Sequence, residues 1–136
     1  MLKKIELRTQ PGESLINITE DIQSVIRQLG VTEGICVASV PHTTAGLAVN
    51  SSIDSKTLAD IIEEVDRLVP TRVDFHHQYD TPHDASGHIK SVLVGSSLSL
   101  IITGGKLLLG HSQSVLLFEF DGPRNRQVWL RLLSEE

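Results

Sequence analysis

Apolar positions change their period several times along the chain, and each change marks an expected element. Ile5 to Thr9 alternates weakly and predicts a strand, closed by a turn at Pro11-Gly12. Leu15 to Ile18 predicts a second short strand. Ile22, Val25, Ile26 and Leu29 recur at helical spacing behind Thr19, which can cap that helix, and Gly30 is its stop. Ile35 to Val40 is short, apolar and ungapped, the pattern of a buried central strand, with Gly46 to Val49 as its expected partner. Asp54 can cap a second helix, whose stripe of Leu58, Ile61, Ile62, Val65 and Leu68 ends just before Pro70. From Thr71 to Pro82 there is no period, and a loop of that length in a small domain is often functional. Asp84 can cap a third helix with Ile89, Val92 and Leu93 facing inward and Gly95 closing it.

Three strands follow. Leu98 to Thr103 and Lys106 to Leu109 flank Gly104-Gly105, a two-residue hairpin signal, and Ser114 to Phe120 comes next. Asp121-Gly122-Pro123 breaks the chain before a last strand, Arg126 to Leu133, with Val128, Leu130 and Leu132 on one face. Strands outnumber helices and are joined largely by tight turns. The expected fold is therefore α+β: a largely antiparallel sheet folded into a sandwich or half-barrel, with helices packed on one side. No linker, repeat or low-complexity segment interrupts it, so residues 1–136 read as a single domain.

Composition narrows the function. Forty per cent of the 136 residues are hydrophobic, enough for one core without a staple. One cysteine, Cys36, excludes an intrachain disulfide and fits a cytoplasmic protein. No apolar run is long enough to span a membrane, and the amino terminus lacks a signal-peptide core. The net charge of −5, scattered Lys and Arg and few aromatics leave no footprint for nucleic acid. Histidine stands out: there are six, and His76, His77, His83 and His88 fall within thirteen positions.

The stretch from His76 to Asp84 holds three histidines and two carboxylates, Asp80 and Asp84. Neutral imidazole suits Zn²⁺, and carboxylates ligate or orient the rings; the alternative is a solvated polar loop. His42, in Pro41-His42-Thr43-Thr44-Ala45, follows the most apolar strand, where a side chain is held rigidly at the core edge. A turn with Thr hydroxyls bonded to backbone is the other reading of that segment. His88 sits early in the third helix, where orphan N–H groups favour a neutral ring. Glu119, Asp121, Arg124 and Arg126 crowd one corner, either an anion clamp or a hairpin tip with surface ion pairs. No Gly-x-Ser-x-Gly, His-Glu-x-x-His or phosphate-binding glycine loop exists, which excludes those hydrolase and nucleotide-binding classes.

Read together, several strings resemble the YjbQ family. They are Pro41-His42-Thr43-Thr44-Ala45 with Asn50 and Asp54; Leu68-Val69-Pro70; His77 with Tyr79; Gly87-His88-Ile89-Lys90; Gly95-Ser96-Ser97; Gly105-Lys106-Leu107 with Leu109-Gly110; and Glu119-Phe120-Asp121-Gly122-Pro123-Arg124. The resemblance implies a compact sandwich, assembly into homotrimers and a histidine-rich site for a divalent metal. It also implies a weak thiamine-phosphate synthase activity, which joins the pyrimidine and thiazole phosphate halves of thiamine. His42, His77 and His88 match the family's recurrent histidines and are the implied metal ligands. His42, Glu119 and Arg124 are the implied catalytic set. The chain departs from the family in two places: Asn50-Ser51 replaces Asn-Glu, and His111-Ser112-Gln113 replaces Thr-Trp-Gln.

The expectation is a metal-binding protein acting on a small phosphorylated molecule. Zn²⁺ is the expected ion, with Mg²⁺ possible if a pyrophosphate substrate supplies oxygen ligands. A metal-assisted hydrolase and a non-enzymatic trimeric ligand-binding module are the alternatives.

Overall fold

The computed structural model describes residues 2–78 and 81–135; Tyr79 and Asp80 of the histidine-rich stretch lie outside the described residues. The order is β1 (Leu2–Arg8), β2 (Gly12–Asn17), α1 (Thr19–Leu29), β3 (Gly34–Ser39), β4 (Ala45–Asn50), α2 (Ser55–Leu68), α3 (Pro82–Val94), β5 (Ser97–Thr103), β6 (Lys106–Leu107), β7 (Ser114–Gly122) and β8 (Asn125–Ser134). Two antiparallel sheets form, one of five strands in the order β1-β8-β3-β5-β6 and one of three in the order β2-β7-β4. The expected sandwich of antiparallel sheets with three helices is what the chain adopts. α1 touches both edge strands of the large sheet, β1 and β6, so that sheet curls into a half-barrel with α1 across its mouth.

The core fills the space between the sheets. Ile5, Cys36, Ala38, Leu100, Ile102, Val128 and Leu130 of the large sheet meet Ala45, Leu47, Val115 and Leu117 of the small one, and α1 adds Ile22, Val25 and Ile26. β7 is buried on both faces, because α3 packs over β4 and β7 while α2 lies on β2. This explains why Val115 to Phe118 is a continuous apolar run rather than an alternating one.

Two sequence expectations are corrected here. β3 and β4 do not pair: β3 lies between β8 and β5, whereas β4 pairs with β7 in the other sheet. Pro41 to Thr44 carries the chain from one sheet to the other, and strand adjacency in sequence does not encode that crossing. The inward face of α3 is also not Ile89, Val92 and Leu93, which are all exposed. It is Asp84, Ser86, Gly87, Lys90 and Ser91. A polar face can turn inward because each buried group finds a partner. Ser91 Oγ donates to the Ala45 carbonyl at 2.7 Å, and Lys90 reaches two carboxylates. Close approach is possible because β4 carries Gly46, where a Cβ would stand 2.8 Å from the Gly95 carbonyl oxygen and 3.0 Å from Val94.

Helix starts follow the expected chemistry with shifted roles. Asp54 caps α2 by accepting from the Lys56 amide at 2.9 Å. For α1 the acceptor is Asn17, whose Oδ1 takes the Thr19 amide at 3.0 Å, and Thr19 is the first helical residue. α3 begins one turn before the expected cap, with Pro82 at its start and Asp84 inside the first turn.

Lys90 is only 1% exposed, held 3.1 Å from Glu13 of β2 and bonded also to Asp66 of α2. Burial, with a hydrogen bond that the protonated carboxyl donates to Asp66, pushes the Glu13 carboxyl up to about 7 against the opposing charge of Lys90. A raised folded value means that the stability Glu13 contributes is complete below its ordinary 4.5 and is lost as pH rises through about 7. Urea unfolding at pH 5 and pH 8 should therefore differ by a Glu13-dependent loss on the order of 3 kcal/mol. Glu13→Gln should remove that difference. An unchanged pH dependence in the variant would exclude this carboxyl as its source.

Candidate functional site

Three separate parts of the chain meet at one end of the small sheet. The β3–β4 crossing brings His42, Thr43 and Thr44; the first turns of α3 bring Asp84 and His88; and the β7–β8 corner brings Arg124 and Arg126. His77 reaches in from the segment before α3. Together they line a cavity of about 540 Å³.

Asp84 is its centre. The carboxylate is buried, and Oδ2 lies 2.5 Å from His77 Nε2 and 3.4 Å from His88 Nε2. The two rings stand edge to face, with centroids 5.1 Å apart. Asp84 and His88 share one face of α3 because they are four residues apart on a helix. Among the described residues, His77, Asp84 and His88 form the group whose ligand atoms all lie within 4.8 Å of one another. Two imidazoles and one carboxylate converging on a point make a donor set suited to a borderline divalent ion.

His42 stands in the cavity wall but does not join this group. Its Nε2 accepts the Gln127 backbone N–H at 2.9 Å, so the ring proton sits on Nδ1 and neither nitrogen offers a lone pair to a metal. Burial, reinforced by the neighbouring Arg126 charge, holds the ring below histidine's ordinary pKa, with Glu119 opposing in part. His42 is thus a neutral hydrogen-bond donor facing the cavity.

Glu119 lies under the cavity rather than in its wall. It is fully buried and accepts from Thr9 Oγ1 at 2.6 Å, the Asp121 amide at 3.1 Å, Arg126 Nε at 2.7 Å and Arg126 Nη2 at 2.5 Å. Burial alone would raise its pKa; the bonds from Arg126, Thr9 and the amide outweigh it and hold the carboxyl below its ordinary value. Its role here is to fix Arg126, whose Nη2 also donates to Thr44 O at 3.0 Å and Thr44 Oγ1 at 2.8 Å. The remaining guanidinium nitrogen, Nη1, takes no partner among the described residues and is left to the cavity. Arg124 is the more exposed of the pair. It donates to Asp121 Oδ2 at 2.7 Å and to the Asp121 carbonyl at 3.0 Å, and its Nη2 is 4.0 Å from Asp84 Oδ1.

The structure thus gathers His42, His77, His88 and Arg124 around one cavity and places Glu119 beneath it. Sequence reading placed Asp84 and Arg126 in the two clusters but assigned neither of them a site role. Two signals could have found them. Asp84 and His88 are four apart on one helix, and Arg126 falls in register with the inward Val128 and Leu130, where a charge needs a buried partner. His76, His83 and His111 are not in the cavity wall; His83 Nδ1 instead lies 3.1 Å from Thr71 Oγ1. Ser51 and Ser112, the two departures from the family pattern, are also outside it.

A curled five-stranded half-barrel sheet, a three-stranded sheet and three helices define a class of small α+β proteins already known from solved structures. The hypothetical protein APE1520 from Aeropyrum pernix K1 superposes with a TM-score of 0.92 at 30% identity, covering 99% of each chain. The conserved hypothetical protein TT1486 from Thermus thermophilus gives 0.86 at 36% identity, covering 96% of this chain and 99% of that one. In sequence, the UPF0047 protein MJ1081 of Methanocaldococcus jannaschii is 40% identical over 136 residues, spanning 100% of this chain and 96% of its own length. YugU of Bacillus subtilis, also a UPF0047 protein, is 31% identical, spanning 98% and 99%. The family described as UPF0047 protein YjbQ-like matches residues 3–135, and the chain belongs to it.

Proposed function

We propose that the cavity binds one divalent ion, Zn²⁺, on His77, Asp84 and His88, and takes a small phosphorylated molecule beside it. The observation that carries this is the convergence of both imidazole Nε2 atoms on a single oxygen of the buried Asp84, next to two arginines. A bound ion would supply positive charge against phosphate or pyrophosphate oxygen. Arg126, fixed by Glu119, presents an oriented N–H pair to an oxyanion, and Arg124 closes from the rim with a planar fork. His42 donates from Nδ1 and keeps its proton. This arrangement suits the reaction that the family resemblance implies, in which pyrophosphate leaves as the two halves of thiamine phosphate are joined.

The test is calorimetric titration of the zinc-loaded protein with pyrophosphate. Arg124→Ala should weaken binding about tenfold or more while leaving the unfolding midpoint nearly unchanged, and Arg124→Lys should restore only part, since the fork is lost. Pyrophosphate affinity equal in the parent and the alanine variant removes Arg124 from the site.

The same reading includes a homotrimer. The outer face of the five-stranded sheet exposes Ile35, Val37, Ile101, Trp129 and Leu133, apolar cover that a neighbouring copy would supply. Light scattering at micromolar concentration should give three times the chain mass. The mass of a single chain there would refute the assembly.

A further inference from the structure

His77, Asp84 and His88 belong to one segment of the chain and Arg124 and Arg126 to the β7–β8 corner, and Asp121, near the end of β7, is bonded to both parts. It is 2% exposed, and its backbone and carboxylate are engaged on every side. Its amide donates to Glu119 Oε2 at 3.1 Å, its carbonyl accepts from Arg124 Nε at 3.0 Å, and its Oδ2 accepts from Arg124 Nη2 at 2.7 Å. Oδ1 accepts from the hydroxyl of Thr81, the residue just before α3. A threonine in that place ordinarily turns its oxygen to the free amides of its own helix. Thr81 makes no such cap, and its hydroxyl fixes the Asp121 carboxylate instead, with Oδ2 aimed at Arg124. Among the described residues, a second carboxylate stands close to this arginine. Asp84 Oδ1 lies 4.0 Å from Arg124 Nη2, on the group whose Oδ2 meets both histidines. A guanidinium paired side-on with Asp84 would occupy the oxygens that a metal needs.

We infer that Asp121 is a positioning residue, which holds Arg124 to itself and so keeps the arginine off the metal-binding oxygens of Asp84. A bond charged on both sides is strong enough to decide between two carboxylates at this range. Arg124 is 36% exposed along its side chain, so a small turn would carry it onto Asp84 once Asp121 lost its charge. The inference rests on the reading of Asp84 as a metal ligand. It adds to that reading the reason an arginine can stand beside the ligand without competing with the ion.

The experiment is calorimetric titration of chelator-stripped protein with Zn²⁺ alone. Asp121→Asn should bind the ion about tenfold more weakly than the parent or worse, although Asp121 offers the metal no donor atom. Adding Arg124→Ala to that variant should bring the affinity back to within about threefold of the parent, because the competitor is gone. A fold damaged at this corner would not be repaired by removing a second side chain. Thr81→Val, at an exposed position, folds whatever Asp121→Asn does. It leaves the Asp121 charge on Arg124, so its zinc affinity should stay within about threefold of the parent. A parent that binds Zn²⁺ with an Asp121→Asn variant that binds it equally well overturns the inference and leaves the metal reading standing. So does a double variant as weak as Asp121→Asn alone, or a tenfold loss in Thr81→Val, since either means that Asp121 acts by holding the start of α3. If the parent takes up no Zn²⁺, both readings fall together.

Discussion

Chelator-stripped protein titrated with Zn²⁺ should bind one equivalent, and Asp84→Asn or His88→Ala should each lower that affinity by more than about a hundredfold. Loss of groups that merely orient ligands already costs about ten- to a hundredfold in metal sites, and these residues supply donor atoms themselves. His42→Ala should bind the ion as the parent does, since its Nε2 is committed to the Gln127 amide and its Nδ1 carries the proton. This ordering separates the geometry from the expectation of three histidine ligands. Metal that binds only the folded chain also stabilises it, by about 2.7 kcal/mol at a hundred times the dissociation constant, so the melting temperature should rise with Zn²⁺ and fall back with chelator. Affinity should weaken as pH is lowered, because protons compete for the ligand nitrogens. Loss of binding in His42→Ala with full retention in Asp84→Asn would sink the assignment.

Glu119→Ala should destabilise the fold by about 3–5 kcal/mol, the cost of leaving a buried guanidinium without its carboxylate. Glu119 is 0% and Arg126 4% exposed, so both charges lie away from bulk solvent. The paired change Glu119→Leu with Arg126→Met should recover part of the loss, because no charge is then stranded. Urea unfolding of the two single variants and the pair gives the coupling directly. The carboxyl's folded pKa is depressed, so its contribution is complete above the ordinary value of 4.5 and disappears as pH falls through the lower folded value. Acid unfolding of the parent should therefore be steeper than that of Glu119→Gln. The same glutamine variant should loosen Arg126 and weaken pyrophosphate binding while the chain stays folded. A Glu119→Ala variant within about 1 kcal/mol of the parent would mean that the pair does not hold this corner together.

Much of the fold was legible because periodicity survives wherever one face is buried and the other is not. The Gly30 stop, the Gly104-Gly105 hairpin and the inward Val128, Leu130 and Leu132 all follow from local rules, whereas the α2 stripe is only half-buried and its Leu68 is exposed. α3 broke those rules. Its apolar residues face out and its polar ones face in, because it packs close on the small sheet at Gly46 and Gly87 and its buried Ser91 and Lys90 find partners there. The pairing of β3 with β5 and β8 rather than β4 was equally beyond the sequence, since which sheet a strand joins depends on contacts far along the chain.

The candidate site divides along the same line. Residue types and local spacing marked the clusters, and the family resemblance picked His42, His77, His88, Glu119 and Arg124 out of them. Only the tertiary structure decided their roles. Folding turned Asp84 from an expected cap into the shared partner of two histidines, buried Glu119 beneath the cavity as the anchor of Arg126, and set the His42 ring against a backbone amide. Each of these outcomes depends on a partner from another element: His77 for Asp84, Arg126 and Thr9 for Glu119, Gln127 for His42. A side chain's chemistry is written in the sequence, but its protonation, its free lone pairs and its neighbours are set by what the folded chain places within hydrogen-bonding reach of it.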